Sequence, residues 1–297
     1  MNHIGGQAVL EGVMMRYKHR QALAVRSPDG DIVVEINHVA PLSERWPWLK
    51  LPLLRGMAAL VDALSGAVKT LGRSAQIVSP EEEISGRDLV FAVTLALLLA
   101  VGLFFVLPAV VVTPLSRLGW PSAAVSLVEG LVRISVLVSY LLLVRLNPDI
   151  RRTFAYHGAE HKAIFSWESG SSNIEDALQA SCSHPRCGTS FILLVVVTGI
   201  IVFSFISPPT LLWRMASRIL LLPLLAGIAY EFIRWTGSSN SPVARMAMAP
   251  GMALQRLTTL EPDREQVEVA MAALQAVVDP DWDREYNDSH SETVQEV

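Results

Sequence analysis

The clearest chemistry in this sequence lies in Tyr156-His157-Gly158-Ala159-Glu160-His161-Lys162, which reads His-x-x-Glu-His. On a helix, residues four apart share a face, so His157 and His161 could grip one metal ion. Glu160 falls between them in angle and could take a proton from a water at that ion. The order reverses the His-Glu-x-x-His zinc motif. Two histidines, a carboxylate and an open water position form the ligand pattern of catalytic zinc, so the expected cofactor is a divalent metal, zinc by this pattern. The third ligand must come from elsewhere. Glu231 and Glu11 lead. Glu231 ends an apolar run where an unpaired carboxylate is costly, so the metal competes with Arg234 or interfacial water as its partner. Glu11 lies in Gly5-Gly6-Gln7-Ala8-Val9-Leu10-Glu11-Gly12, where glycines allow close approach. It is either aimed at a specific partner or solvated on a surface loop. His184 and Cys187, three apart in Cys182-Ser183-His184-Pro185-Arg186-Cys187, are further candidates, and Cys182 a weaker one. The plain alternative for each thiol is inert packing.

These residues need elements to hold them. The chain has 297 residues, 51% hydrophobic and 18% charged, with a mean hydropathy of +0.39. A water-soluble domain of this length is rarely so apolar, so the excess belongs in membrane spans and the lipid bilayer is the expected partner. A net charge of −4 gives no reason to expect nucleic acid. Two cysteines are too few for a disulfide framework and fit a reducing compartment. No basic-then-apolar leader opens the sequence, which predicts an N-terminus kept inside.

Four apolar runs are span candidates: 89–112, 123–144, 191–206 and 211–230. Pro208-Pro209 makes the last two a tight helical hairpin, and Pro108 and Pro223 should kink their helices. Glu129 and Arg133, at i,i+4, either pair or mark an interfacial end. Lys and Arg crowd the segments before the first span and between the second and third, while the other two connections carry few. The positive-inside rule then places both termini and the middle loop in the cytosol. Residues 49–74 form an amphipathic helix behind Trp46 and Trp48, suited to the membrane interface or to packing against other helices. Ser27-Pro28-Asp29-Gly30 between two apolar runs predicts a β-hairpin. Asn147-Pro148 should start the helix carrying the histidines. Gly158 inside that helix costs about 1 kcal/mol relative to alanine, so either a ligand or a packed neighbour approaches it. Ser172-Asn173-Ile174-Glu175 reads as a capping box, 249–259 as a short helix and 264–278 as an amphipathic one.

The expected fold is therefore a mainly α polytopic membrane protein. It has about four transmembrane helices, an interfacial amphipathic helix and a small N-terminal β-hairpin. Its segments are a cytosolic cap without a large core of its own (1–48), the amphipathic helix and linker (49–86), a first transmembrane hairpin (87–146), a cytosolic loop with the histidine motif (147–190), a second transmembrane hairpin (191–235), C-terminal cytosolic helices (236–278) and a disordered acidic tail (279–297).

The blocks Gly5 to Arg16, His157-Gly158-Ala159-Glu160-His161-Lys162, His184-Pro185-Arg186-Cys187-Gly188-Thr189-Ser190 and Pro250 to Thr259 resemble the signature blocks of the YqhQ-like bacterial membrane family, over about residues 2 to 262. The resemblance implies a polytopic protein of the bacterial inner membrane, labelled a metal-dependent enzyme on its histidine motif. Two readings lead. In one, His157 and His161 hold zinc, Glu160 is the general base of a hydrolase and a third carboxylate completes the site. In the other the protein is non-catalytic and binds or assists another membrane protein or complex, with the motif as an interface or structural metal site. A transporter is third, because no midplane charge or inverted repeat stands out.

Overall fold

The computed structural model describes residues 4–81, 85–185, 187–206, 210–237, 239 and 241–279. The acidic tail from 280 onward, Glu82, Glu83, Arg186 and the Pro208-Pro209 hairpin lie outside them. Strands β1 (Gly5–Val9), β2 (Gly12–Tyr17), β3 (Arg20–Arg26) and β4 (Ile32–His38) form one antiparallel meander in chain order. The expected hairpin is β3–β4, closed by Ser27 N donating to Asp31 O at 2.8 Å, with Gly30 at φ +96°. The glycine-rich stretch around Glu11 forms a second hairpin. Val9 pairs with Gly12, and Glu11, at φ +49°, makes the turn. The sheet builds its core jointly with helices. Val13, Met15, Ala22 and Ala24 on one face join a shared apolar core, and Val9, Leu23 and Val25 on the other pack against Ile77.

The helices are α1 (Leu54–Val78), α2 (Gly86–Arg117), α3 (Ser122–Val144), α4 (Pro148–Glu168), α5 (Ile174–Gln179), α6 (Gly188–Ser204), α7 (Leu211–Leu220), α8 (Leu222–Gly237), α9 (Pro242–Thr258) and α10 (Arg264–Val278). Among the described residues, only α2 and α3 are single helices long and apolar enough to cross a bilayer. The pair α7 and α8, bent by 44°, could make a third span. By length and apolarity alone, two or three of the four expected spans are thus met among the described residues. At 17 residues, about 25 Å, α6 is short of a full crossing. A proline has no N–H to donate and its ring crowds the preceding turn, which accounts for both irregularities. A π-helical turn at Gly102–Val106 precedes Pro108, and the α7/α8 break falls just before Pro223. Along α2, Phe91, Leu97, Leu98 and Leu99 are all at least 60% exposed, an apolar belt that water would disfavour.

Inside this layer sits a charge cluster. Glu129 on α3 accepts Arg133 Nη2 at 2.8 Å and Arg218 Nε and Nη2 at 3.1 and 3.0 Å. The predicted i,i+4 pair is therefore made, and α7 adds a second arginine.

The C-terminal half supplies the walls of the core. Asn147 caps α4 as expected, its Oδ1 accepting from Asp149 N at 2.8 Å. Asn173 caps α5 in place of the expected Ser172, accepting from Asp176 N at 2.7 Å, because Ser171 and Asn173 both hydrogen-bond the Asp176 carboxylate. Ser241 starts α9 well before the expected short helix, and Pro250 is accommodated within it. Val267, Ala270, Met271 and Leu274 of α10 pack in the same core as Tyr156, Ala159 and Ala163 of α4 and the inner sheet face.

Gly158 is explained by contact with the strap that follows α9. A Cβ there would lie 2.0 Å from Leu260 O, while Leu260 N donates to Phe154 O at 3.0 Å. Helix propensity alone would favour Gly158→Ala by about 1 kcal/mol. Overpacking against a fixed carbonyl costs about 1–3 kcal/mol, so the expected net result is a lower melting temperature. An unchanged or raised value in a detergent melt would show that the strap is not held against α4.

Candidate metal centre

One turn of α4 places the His157 and His161 rings side by side, with centroids 4.5 Å apart. Each has a backbone carbonyl at Nδ1: Thr258 O at 2.9 Å for His157 and Cys182 O at 2.5 Å for His161. A carbonyl has no proton to give, so each Nδ1 donates. In the neutral rings this leaves both Nε2 lone pairs free, the tautomer that metal-binding histidines adopt. Cys187 supplies the third atom. It caps the N-terminus of α6, and its Sγ lies 3.3 Å from His157 Nε2. One ligand atom from each of the three residues falls within 4.8 Å of the others. Bond lengths of about 2.0–2.3 Å place the ligand atoms of a tetrahedral zinc roughly 3.4–3.6 Å apart; the donor types suit that ion, and the 3.3 Å between Cys187 and His157 is close to that spacing.

Glu160 adjoins this group and is 5% exposed. Its carboxyl packs on Gly6 of β1, where a Cβ would come within 2.6 Å of Oε1. Burial pushes it up to about 7, with His157 acting in the opposite direction. Among the described residues no hydrogen bond or ion pair holds the carboxyl. It is a buried acid with spare hydrogen-bonding capacity beside two imidazoles.

Residues 51–280 match the family model described as "Protein of unknown function (DUF1385)". The chain belongs to the DUF1385 family. It is 32% identical over 290 residues to "Uncharacterized protein YqhQ" of Bacillus subtilis (strain 168), spanning 90% of this chain and 89% of the relative. No solved structure matches.

In this DUF1385 chain the two carboxylates favoured as third ligands stand apart from the histidines. Glu11 is held by Arg152 and accepts the Tyr156 hydroxyl at 3.2 Å. Glu231 takes Arg55 Nε at 2.6 Å and Leu53 N at 3.3 Å, and Arg234 acts on it through charge alone. Both sit where a guanidinium can reach, and a charge-assisted fork satisfies a carboxylate well. His184 lies one ring further out, 5.9 Å from His161 by centroids, with Nε2 3.2 Å from Glu168. Cys182 contributes its carbonyl to His161, while its thiol donates to Glu261 at 3.2 Å. Burial and then Glu261 push that thiol up to about 12.

Three residues with no role assigned from sequence complete the surroundings. Gln255 clamps the ligand loop, accepting His184 N at 3.0 Å and donating to His184 O at 2.8 Å. Thr258 orients His157, and Glu261 pairs with buried Lys162 at 2.7 Å. A polar Gln255-Arg256-Leu257-Thr258-Thr259 run in an apolar chain was the available signal.

Proposed function

We propose that this chain is an integral membrane metalloprotein of the hydrolase class, with His157, His161 and Cys187 as zinc ligands and Glu160 as the general base. The single observation that carries the reading is the pair of Nδ1–carbonyl contacts, which leaves both Nε2 atoms available in a group whose ligand atoms lie within 4.8 Å of one another. A zinc ion with three such ligands would supply a Lewis acid and a water of pKa near 7. The chain's own residues do the rest. Thr258 and Cys182 fix the ring orientations, and the N-terminal end of α6 offers partial positive charge to the Cys187 sulfur. Glu160, with no hydrogen-bond partner among the described residues, accepts a proton and can return it to a leaving group.

Protein purified in neutral detergent without chelator is expected to carry about one zinc per chain, and Cys187→Ser or His161→Ala to lose it. Wild-type protein that binds no zinc even after reconstitution would overturn the proposal. The second reading is a zinc staple without catalysis. Burial of the site favours it, because α4, the 182–187 loop and Thr258 are all tied there.

The same reading places α2 and α3 across the bacterial inner membrane, with α6 and the bent α7/α8 pair as two further, shorter elements of a four-span bundle. The metal centre and both termini face the cytosol, as the Lys/Arg distribution supports. Reporter fusions after Ser172 and at the C-terminus are both expected to read cytosol. A periplasmic signal at Ser172 would place the centre on the opposite side.

A further inference from the structure

At the far end of α3 and α6 from the histidines lies a second polar site that the metal chemistry does not use. It is a cavity of about 150 Å³ lined in part by Ser116, Trp120, Ser126, Arg214 and Arg218. At about 30 Å³ per water it has room for about five waters, enough for one tetrahedral oxyanion and too little for a nucleotide. Arg214 is 7% exposed, and its Nη1 has no hydrogen-bond partner among the described residues. An unpaired guanidinium buried among apolar helices is costly.

The neighbouring carboxylate cannot relieve it. Glu129 has Oε1 taken by Arg133 and Arg218, and Oε2 by Arg218. It is also the one acidic residue between Asp88 and Asp149, and there is none from Cys187 to Tyr230. The three arginines of this cluster therefore face a single carboxylate, and the charge left over is at Arg214, on the wall of the cavity. Half-exposed Trp120, in the turn between α2 and α3, stands at the mouth. Tryptophan in that position suits the headgroup level of a bilayer.

We propose that this cavity binds a phosphate group, with Arg214 as its principal counter-charge and Arg218 as support. The site is separated from the metal centre by the length of α6, about 25 Å. The group can arrive as a phospholipid headgroup from the leaflet opposite the metal centre or as free phosphate, since the recognising chemistry is shared.

The test uses the full chain in a neutral maltoside detergent at constant ionic strength. It is titrated in separate arms with inorganic phosphate, with a short-chain phosphatidylglycerol and with chloride, and the thermal midpoint is read in each. Wild type is expected to gain stability with phosphate, with the lipid, or with both. The arm that responds at lower concentration identifies the source. Arg214→Gln should weaken that response about ten- to a hundredfold, the effect of losing one charge-assisted hydrogen bond. In phosphate-free buffer the same variant should melt no lower than wild type, because it removes a buried uncompensated charge. Ser116→Leu, which narrows the cavity without altering charge, covers the case in which Arg214→Gln does not fold, and should also weaken the response. His157→Ala should leave it intact, which separates this site from phosphate bound at the metal. An equal response to chloride, no response in any arm, or an unchanged response in both cavity variants would overturn the proposal.

Discussion

Glu160→Gln should leave the protein folded and zinc-loaded yet unable to complement a strain lacking the native gene. The amide keeps the size of the side chain and its place against Gly6, but cannot accept the proton. Removing a positioned general base typically costs about 10²–10⁴-fold in rate. His157→Ala and His161→Ala should behave differently, losing zinc and function together. The contrast follows from the separate surroundings of these residues: the imidazoles are oriented by carbonyls, whereas the carboxyl has no hydrogen-bond partner among the described residues. Full complementation by Glu160→Gln would end the hydrolase reading and leave the staple, for which the histidine variants should lower stability alone.

Glu129→Gln should produce the largest loss of stability. One carboxylate accepts three charge-assisted hydrogen bonds from Arg133 and Arg218 in a region with no other acid. Removing one partner from a buried ion cluster costs about 3–5 kcal/mol, because the remaining charges are left uncompensated. For a chain of this size that corresponds to roughly 10 °C in melting temperature, or to no recoverable folded protein. The double variant Glu129→Gln with Arg218→Gln should recover part of the loss. A single variant that melts like wild type would show that the arginines are balanced by something other than Glu129.

What was legible in the sequence divides by the range of the interactions involved. Helix starts at Asn147 and Asp263 depend on neighbouring residues and could be placed closely. The β3–β4 hairpin follows from its proline and glycine turn. The β1–β2 hairpin did not, because Gly5, Gly6 and Gly12 weaken the strand pattern, and its turn residue Glu11 is one that rarely takes a positive φ. The histidine pair could be found because i,i+4 geometry is local. Cys187 stands among the candidates for the third donor but behind the two carboxylates, because it and the Thr258 carbonyl are brought to α4 by packing alone. Glu11 and Glu231 looked suitable on charge, but arginines distant in sequence reach them first. Glu129 could be paired with Arg133 from spacing, whereas Arg218 arrives only when α7 docks.

The strap at Thr258 to Leu260 also sets an order of assembly. Synthesis runs from the N-terminus, so His157, His161 and Cys187 all emerge well before the carbonyl that orients His157. A nascent chain holding the three donors can still turn that imidazole either way. Only when residues 258–260 close over Gly158 is the ring fixed, and α10 must follow before the sheet has its inner wall. A chain cut short before residue 258 would therefore keep the metal motif intact but leave its first imidazole unlocked.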